Sequence, residues 1–186
     1  MNKRHVITIT GDLASGKSSV SDILKKELNY EVYKPGQYAR KLAMEKNMTI
    51  NDFQAYLKEH PELDQEIETN SSKYAQENDN IIVDARLGWY SIPYSFKIYL
   101  KTDIDVSAKR AFNDCKRQNS EPCKDVQTAK EQIQKRYNEE IERFFSLYNI
   151  RKDDMSNYDL VIDTSDMKVE EIAEKIKKEY IKWLEN

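Results

Sequence analysis

The sequence predicts an α/β fold in which a central parallel sheet of about five strands is covered by helices on both faces. Three observations predict it. Short apolar runs rich in β-branched residues alternate with longer stretches of helical periodicity, the pattern of repeated strand–helix–strand units. The 186 residues, 39% hydrophobic and 34% charged, suit one domain with a sizeable core and a charged surface. Polar or small residues close three of the strands: Gly11, Asp84 and the pair Thr164-Ser165. That is where open parallel sheets bind ligands.

The first strand is His5 to Thr10, and after a glycine-containing loop a helix runs from about Lys17 to Leu28. A short second strand fits Glu31 to Tyr33. Helical stretches follow at Gly36–Lys46, Ile50–His60 and Pro61–Gln76, with Thr49 and Asp52 spaced as a capping box for the middle one. Ile81-Ile82-Val83-Asp84 reads as a buried strand and Phe96 to Leu100 as another. A helix starts near Asp103 and runs through Arg110, and a long one spans about Val126 to Tyr148. The segment between them is polar and irregular. Leu160 to Asp163 forms the last strand. Val169, Ile172, Ala173, Ile176, Tyr180 and Trp183 mark one apolar face of the closing helix.

Charge and composition exclude several classes. The formal net charge is -3, so no global attraction to nucleic acid or an anionic membrane is expected. No stretch approaches membrane-spanning length. Cys115 and Cys123 stand far from His5 and His60, which gives no zinc-ligand spacing and leaves ordinary reduced thiols of a cytoplasmic protein.

Gly11-Asp12-Leu13-Ala14-Ser15-Gly16-Lys17-Ser18 matches G-x-x-x-x-G-K-[ST] in full, after a strand and before a helix. A chance match in a chain of this length is on the order of 1%, and only four glycines make it rarer still. Glycines at both ends let backbone N–H groups surround one anion, and the following helix aims its positive end at the same point. The loop from Gly11 to Ser19 is thus a triphosphate site, with Lys17 on the β/γ-phosphates and Ser18 on Mg²⁺. Asp84, ending an apolar strand, suits holding a water on that ion; a turn aspartate is the alternative.

Neither D-x-x-G nor N/T-K-x-D stands where a GTPase needs it, and motor ATPases are longer. A small-molecule kinase remains, which needs a second anion site and a mobile basic lid. Arginine suits an acceptor phosphate because its planar fork bonds two oxygens at once. Arg40 and Arg86 are the candidates, each beside one of the two remaining glycines, Gly36 and Gly88, where tight backbone geometry is expected. The lid candidate is rich in Lys109, Arg110, Lys116, Arg117, Lys124, Lys130, Lys135, Arg136 and Arg143. Arg136, Glu140 and Arg143 share one helix face, which fits either two arginines oriented by a carboxylate or a salt-bridged solvated face; spacing alone leaves both open.

Four segments carry a family resemblance: Ile7 to Gly11 with the phosphate loop, Gly36-Gln37-Tyr38-Ala39-Arg40, Asp84-Ala85-Arg86, and Tyr158 to Ser165. Together with His60 to Asp64 they resemble the cytidylate kinases, especially the short archaeal-type branch. The resemblance implies a three-layer P-loop sandwich with core 1–35, 79–110 and 150–186, a helical nucleoside-monophosphate-binding insertion over about 36–78 and a lid over about 111–149. It implies transfer of the ATP γ-phosphate to CMP or dCMP with Mg²⁺. Lys17, Arg86, Arg136 and Arg143 become the catalytic candidates, and Ser18 and Asp84 the metal candidates. Arg110, Thr164 and Ser165 join the phosphate loop in binding ATP. Gly36, Tyr38, Arg40, Asp64 and Arg86 bind the acceptor. A monomer or weak homodimer is expected. Pro35, Ala85, Leu87 and Asn149 depart from the family pattern. Two rival readings stay open: the same fold acting on another small acceptor, and a nucleotide-binding regulator without transfer activity.

Overall fold

Five parallel strands form one sheet in the order β2-β3-β1-β4-β5. They are β1 (Val6–Gly11), β2 (Glu31–Tyr33), β3 (Ile81–Asp84), β4 (Phe96–Lys101) and β5 (Leu160–Asp163). The computed structural model describes residues 3–114 and 123–185. Cys115, Lys116, Arg117 and the rest of 115–122 lie outside the described residues. Cys123 is half-buried and packs beside Ala108, Ala111, Ala129 and Ile133.

β1 is the central strand, in register with β3 (Val6 beside Ile81) and with β4 (Ile7 beside Phe96). Its threonines are not a solvent face. Thr8 and Thr10 are buried, and each hydroxyl has a partner: Ser95 Oγ at 2.9 Å and the Ala85 carbonyl at 3.0 Å. Burial on both faces is what a sheet wrapped by crossover helices requires. One face packs Ile7, Ile9, Ile82 and Ile98 against Val20 and Leu24 of α1 (Lys17–Leu28) and Ile172, Ile176 and Tyr180 of α8 (Val169–Glu185). The other face packs Val6, Ile81 and Val83 against Ala75 and Ile92. No helix among the described residues is long and apolar enough to cross a membrane.

Between β2 and β3 the chain forms α2 (Pro35–Glu45), α3 (Ile50–Glu59) and α4 (Pro61–Glu77). They share a small core of their own, including Ala39, Ala43, Phe53, Leu57 and Ile67. Thr49 caps α3 by accepting from the Asp52 N–H at 3.1 Å, while its hydroxyl donates to Asp52 Oδ2 at 2.6 Å. After β3 comes a short helix, α5 (Gly88–Ser91), an element that no sequence pattern marked. A Cβ on Gly88 would stand 3.1 Å from Thr8 Cγ2, so glycine there serves a close approach to β1. Gly36 is different. It lies in the first turn of α2, and a Cβ there would meet nothing nearer than Arg40 Nη1 at 3.8 Å, so no tight geometry demands it.

α6 (Ile104–Asn113) and the long α7 (Val126–Tyr148) pack through Ala108, Ala111, Ala129 and Ile133, with Leu13 and Ala14 of the phosphate loop against them. Asn149 ends α7 in the left-handed region at φ 54, a conformation asparagine tolerates better than most residues. Its place where glycine is usual therefore leaves the helix end intact. From β1 the chain moves outward to β2 on one side, and from β3 it crosses to β4 on the other. That reversal opens a crevice at the carboxyl end of β1.

Candidate active site

At the end of β1 the backbone passes so close to β4 that a Cβ on Gly11 would stand 2.3 Å from the Leu100 carbonyl oxygen. The loop closes at Gly16, φ 90, which caps α1. Asp12 anchors the loop: its carboxylate accepts from the Tyr99 hydroxyl at 2.6 Å and the Thr102 N–H at 2.8 Å. Ser15 Oγ is buried and has no hydrogen-bond partner among the described residues. An unsatisfied hydroxyl inside an anion-binding loop is costly unless a ligand completes it.

The Lys17 ammonium donates to the carbonyl oxygens of Gly11 (2.9 Å) and Asp12 (2.7 Å). Burial pushes its pKa down to about 8, helped by Arg86 and Lys152 and opposed by Asp84 and Glu140. The Ser18 hydroxyl donates to Asp84 Oδ2 at 2.8 Å. A hydroxyl and a carboxylate side by side are hard oxygen donors, which suit Mg²⁺. Among the described residues no cluster of three or more His, Cys, Asp or Glu forms a self-sufficient metal cage.

Behind the loop lies a buried ion network centred on Glu140 of α7. Its Oε1 meets Arg86 Nη1 at 2.8 Å and Arg136 Nε at 3.3 Å, and its Oε2 accepts from Lys152 Nζ at 2.6 Å. Burial opposes the carboxylate's charge, but Arg86, Lys152 and Arg136 outweigh it and hold the carboxyl well below the usual range. Arg136, Glu140 and Arg143 are all under a tenth exposed, so this helix face is not a solvated one. Lys152, which follows α7, has no motif around it and was not among the expected site residues.

Further along, Arg143 Nε lies 2.9 Å from Asp64 Oδ2, and Arg143 Nη1 donates to the Gln54 carbonyl and side-chain oxygens at 3.3 and 3.2 Å. Arg86 Nη1 also donates to Gln54 Oε1, at 2.9 Å. Gln54 thus joins the two arginines, a role no sequence pattern flagged. Arg40 is exposed at the rim, its Nη1 3.5 Å from the Gly36 carbonyl.

A cavity of about 1060 Å³ joins these groups. Ordinary small-ligand sites run to about 1000 Å³, so this one has room for two sizeable ligands. Residues 13–19 line it together with Asp84, Arg86, Arg110 and Arg136, and so do Gly36, Arg40, Asp64 and Arg143. Five expected site residues stand off the cavity lining, Gly11 among them at the close approach to β4. Tyr38 lies off the cavity and donates to Glu66 Oε1 at 2.5 Å. Asp12 serves as the anchor described above. Thr164 is fully buried, with its hydroxyl shared among Thr102, Ser15 and Lys101 oxygens. Ser165 donates to Asp163 Oδ1 at 2.6 Å and accepts from the Asp103 N–H. Arg110 braces this loop by donating to the Thr164 carbonyl at 2.7 Å. The residues that reach the cavity from here are Met167, Lys168, Val169, Glu170 and Ile172. The polar dipeptide drew attention, whereas the wall is built by the residues just after it.

The profile of the cytidylate kinase-like family matches residues 6–166. A cytidylate kinase of Thermoplasma acidophilum is 39% identical over 171 residues, covering 90% of this chain and 87% of that protein. An S-adenosylmethionine-dependent nucleotide dehydratase of Lacinutrix mariniflava is 36% identical over 177 residues, which are 95% of this chain and 36% of that protein. This chain therefore corresponds to little more than a third of that relative. Among solved structures, shikimate kinase from Acinetobacter baumannii superposes with a TM-score of 0.59 at 15% identity, covering 97% of this chain and 95% of that one. At that identity the likeness establishes the P-loop kinase fold alone.

Proposed function

The chain belongs to the cytidylate kinase-like family, and we propose that it transfers the γ-phosphoryl group of ATP to CMP or dCMP. One observation carries this reading. A complete phosphate loop and a set of arginines from three other segments, Arg40, Arg86, Arg136 and Arg143, open on the same cavity.

In the reaction an oxygen of the acceptor phosphate attacks the γ-phosphorus, the bond to the β–γ bridging oxygen breaks, and ADP leaves. The protein supplies position and charge. The N–H groups of residues 13–18 and Lys17 hold the β- and γ-phosphates. Arg40 and Arg86 hold the acceptor phosphate. Arg136 and Arg143 stabilise charge on the transferring oxygens, with Glu140 and Asp64 fixing their orientation. Ser18 and Asp84 would hold Mg²⁺, which when bound neutralises charge shared by the β- and γ-oxygens. Arg110, Met167, Lys168 and Val169 would bound the adenine side. All these groups come from one chain, so a monomer suffices for the reading, and its use of ATP fits a cytoplasmic protein.

ADP release measured against CMP, dCMP, UMP and AMP tests the proposal. Acceptor-dependent release with CMP or dCMP preferred is the expected result; ATP binding with no acceptor-dependent release would overturn it. A second expectation concerns the metal. Asp84→Asn should raise the Mg²⁺ concentration for half-maximal rate about 10- to 100-fold, the usual penalty for losing a group that orients a metal's ligands. An unchanged Mg²⁺ titration would remove Asp84 from that role.

A further inference from the structure

Glu68 of α4 lines the cavity one helical turn beyond Asp64, so the two carboxyls share a face. Asp64 is engaged by Arg143, but neither the phosphate chemistry nor the ion network uses Glu68. Its Oε2 is closed to solvent and lacks a hydrogen-bond partner among the described residues. Such an oxygen beside a ligand cavity is costly unless a ligand completes it.

The surroundings also set the protonation of Glu68. Burial and the Asp64 carboxylate push its pKa up to about 7, against the Ser91 hydroxyl of α5 and the cations Arg86 and Arg143. Tyr33 of β2 and Tyr148 of α7 are further titratable groups beside it. Near neutral pH much of Glu68 is therefore the neutral acid, which offers an O–H donor and a carbonyl acceptor together. Arginines already serve the anionic end of the acceptor, which leaves this paired donor and acceptor for its base.

Resting on the cytidylate kinase reading above, we infer that Glu68 reads the acceptor base. Its carboxyl O–H donates to N3 of cytosine, its carbonyl oxygen accepts from the 4-amino group, and the Asp64 carboxylate adds negative charge on the same side. Uracil presents the reversed pair, an N3–H donor and an O4 acceptor, which the same acid meets only with its O–H moved to the other oxygen. Sites built to bond a donor reject an analogue that lacks it, because buried polar groups are then left unpaired.

Calorimetric binding of CMP at about pH 6.5 and about pH 8.5, each in two buffers of different ionisation enthalpy, tests this without relying on turnover. Wild type should bind CMP about tenfold or more weakly at the higher pH and take up close to one proton there. Glu68→Gln offers a donor and an acceptor at any pH, so its CMP affinity should be pH-independent and the additional proton uptake absent. Glu68→Ala should bind CMP at least tenfold more weakly at the lower pH, with ATP binding by the same variant reporting an intact fold. The same pH profile and proton count in wild type and Glu68→Gln would overturn the assignment. So would UMP binding as tightly as CMP to the wild type. CMP binding without phosphoryl transfer would count against the kinase reading alone, whereas transfer to CMP with binding indifferent to Glu68 would count against this inference alone.

Discussion

Lys17→Met is expected to lower kcat by about 10²- to 10³-fold, the usual consequence of removing one preorganised positive donor from a phosphoryl or oxyanion site, while leaving the protein folded and no less stable. The two halves of this expectation have one cause. The ammonium is partly withdrawn from solvent and held against two carbonyl oxygens, which strengthens its pull on a phosphate but penalises its charge. The depressed pKa, about 8 against 10.5, records that penalty. Below pH 8 both folded and unfolded chains carry the proton and the penalty is fully present. Between 8 and 10.5 the unfolded chain holds more protons, so wild-type stability from this group rises with pH. The methionine variant lacks the charge, so its advantage over wild type should be largest below pH 8 and shrink above it. Urea unfolding at neutral and alkaline pH, beside ADP release with CMP, checks both. Turnover at the wild-type rate would remove Lys17 from the γ-phosphate.

Local signals account for how much of this architecture was legible. The bounds of α1, β2, β3, α7 and β5 follow from caps, β-branched runs and apolar spacing, and the structure agrees with them. The phosphate loop was legible because its chemistry is contiguous in sequence. Arg136, Glu140 and Arg143 were legible as a face, but whether that face was buried depends on α7 packing, which spacing does not report. Lys152 and Gln54 were invisible for a related reason. Each makes its decisive contact with residues from another segment: Lys152 with Glu140, and Gln54 with Arg86 and Arg143. Thr164 misled because a hydroxyl after a strand looks like a ligand, whereas here it satisfies carbonyls beneath the phosphate loop.

Glu140→Ala should destabilise the protein by about 3–5 kcal/mol, the cost of removing one partner from a buried ion pair. The site gives reason to expect the upper part of that range. Arg86, Arg136 and Lys152 all lean on this one carboxylate, and Arg136, Lys152 and Glu140 are each under a tenth exposed. The pH dependence follows from the direction of the shift. Because the folded carboxyl is held below its ordinary value, its contribution is fully present above the unfolded pKa of about 4.3 and is lost as pH falls toward the folded pKa. Wild type and variant should therefore differ most near neutrality and converge in acid. Two of the cations released by the substitution, Arg86 and Arg136, line the cavity, so a phosphate-bearing ligand should recover part of the lost stability. Pyrophosphate should accordingly raise the urea midpoint of Glu140→Ala more than that of wild type. Such a recovery would show that the network that holds the fold together also keeps positive charge poised for phosphate. Equal midpoints for the two proteins without ligand would instead mean that Glu140 is balanced by solvent, and that Arg86 and Arg136 owe their positions to other contacts.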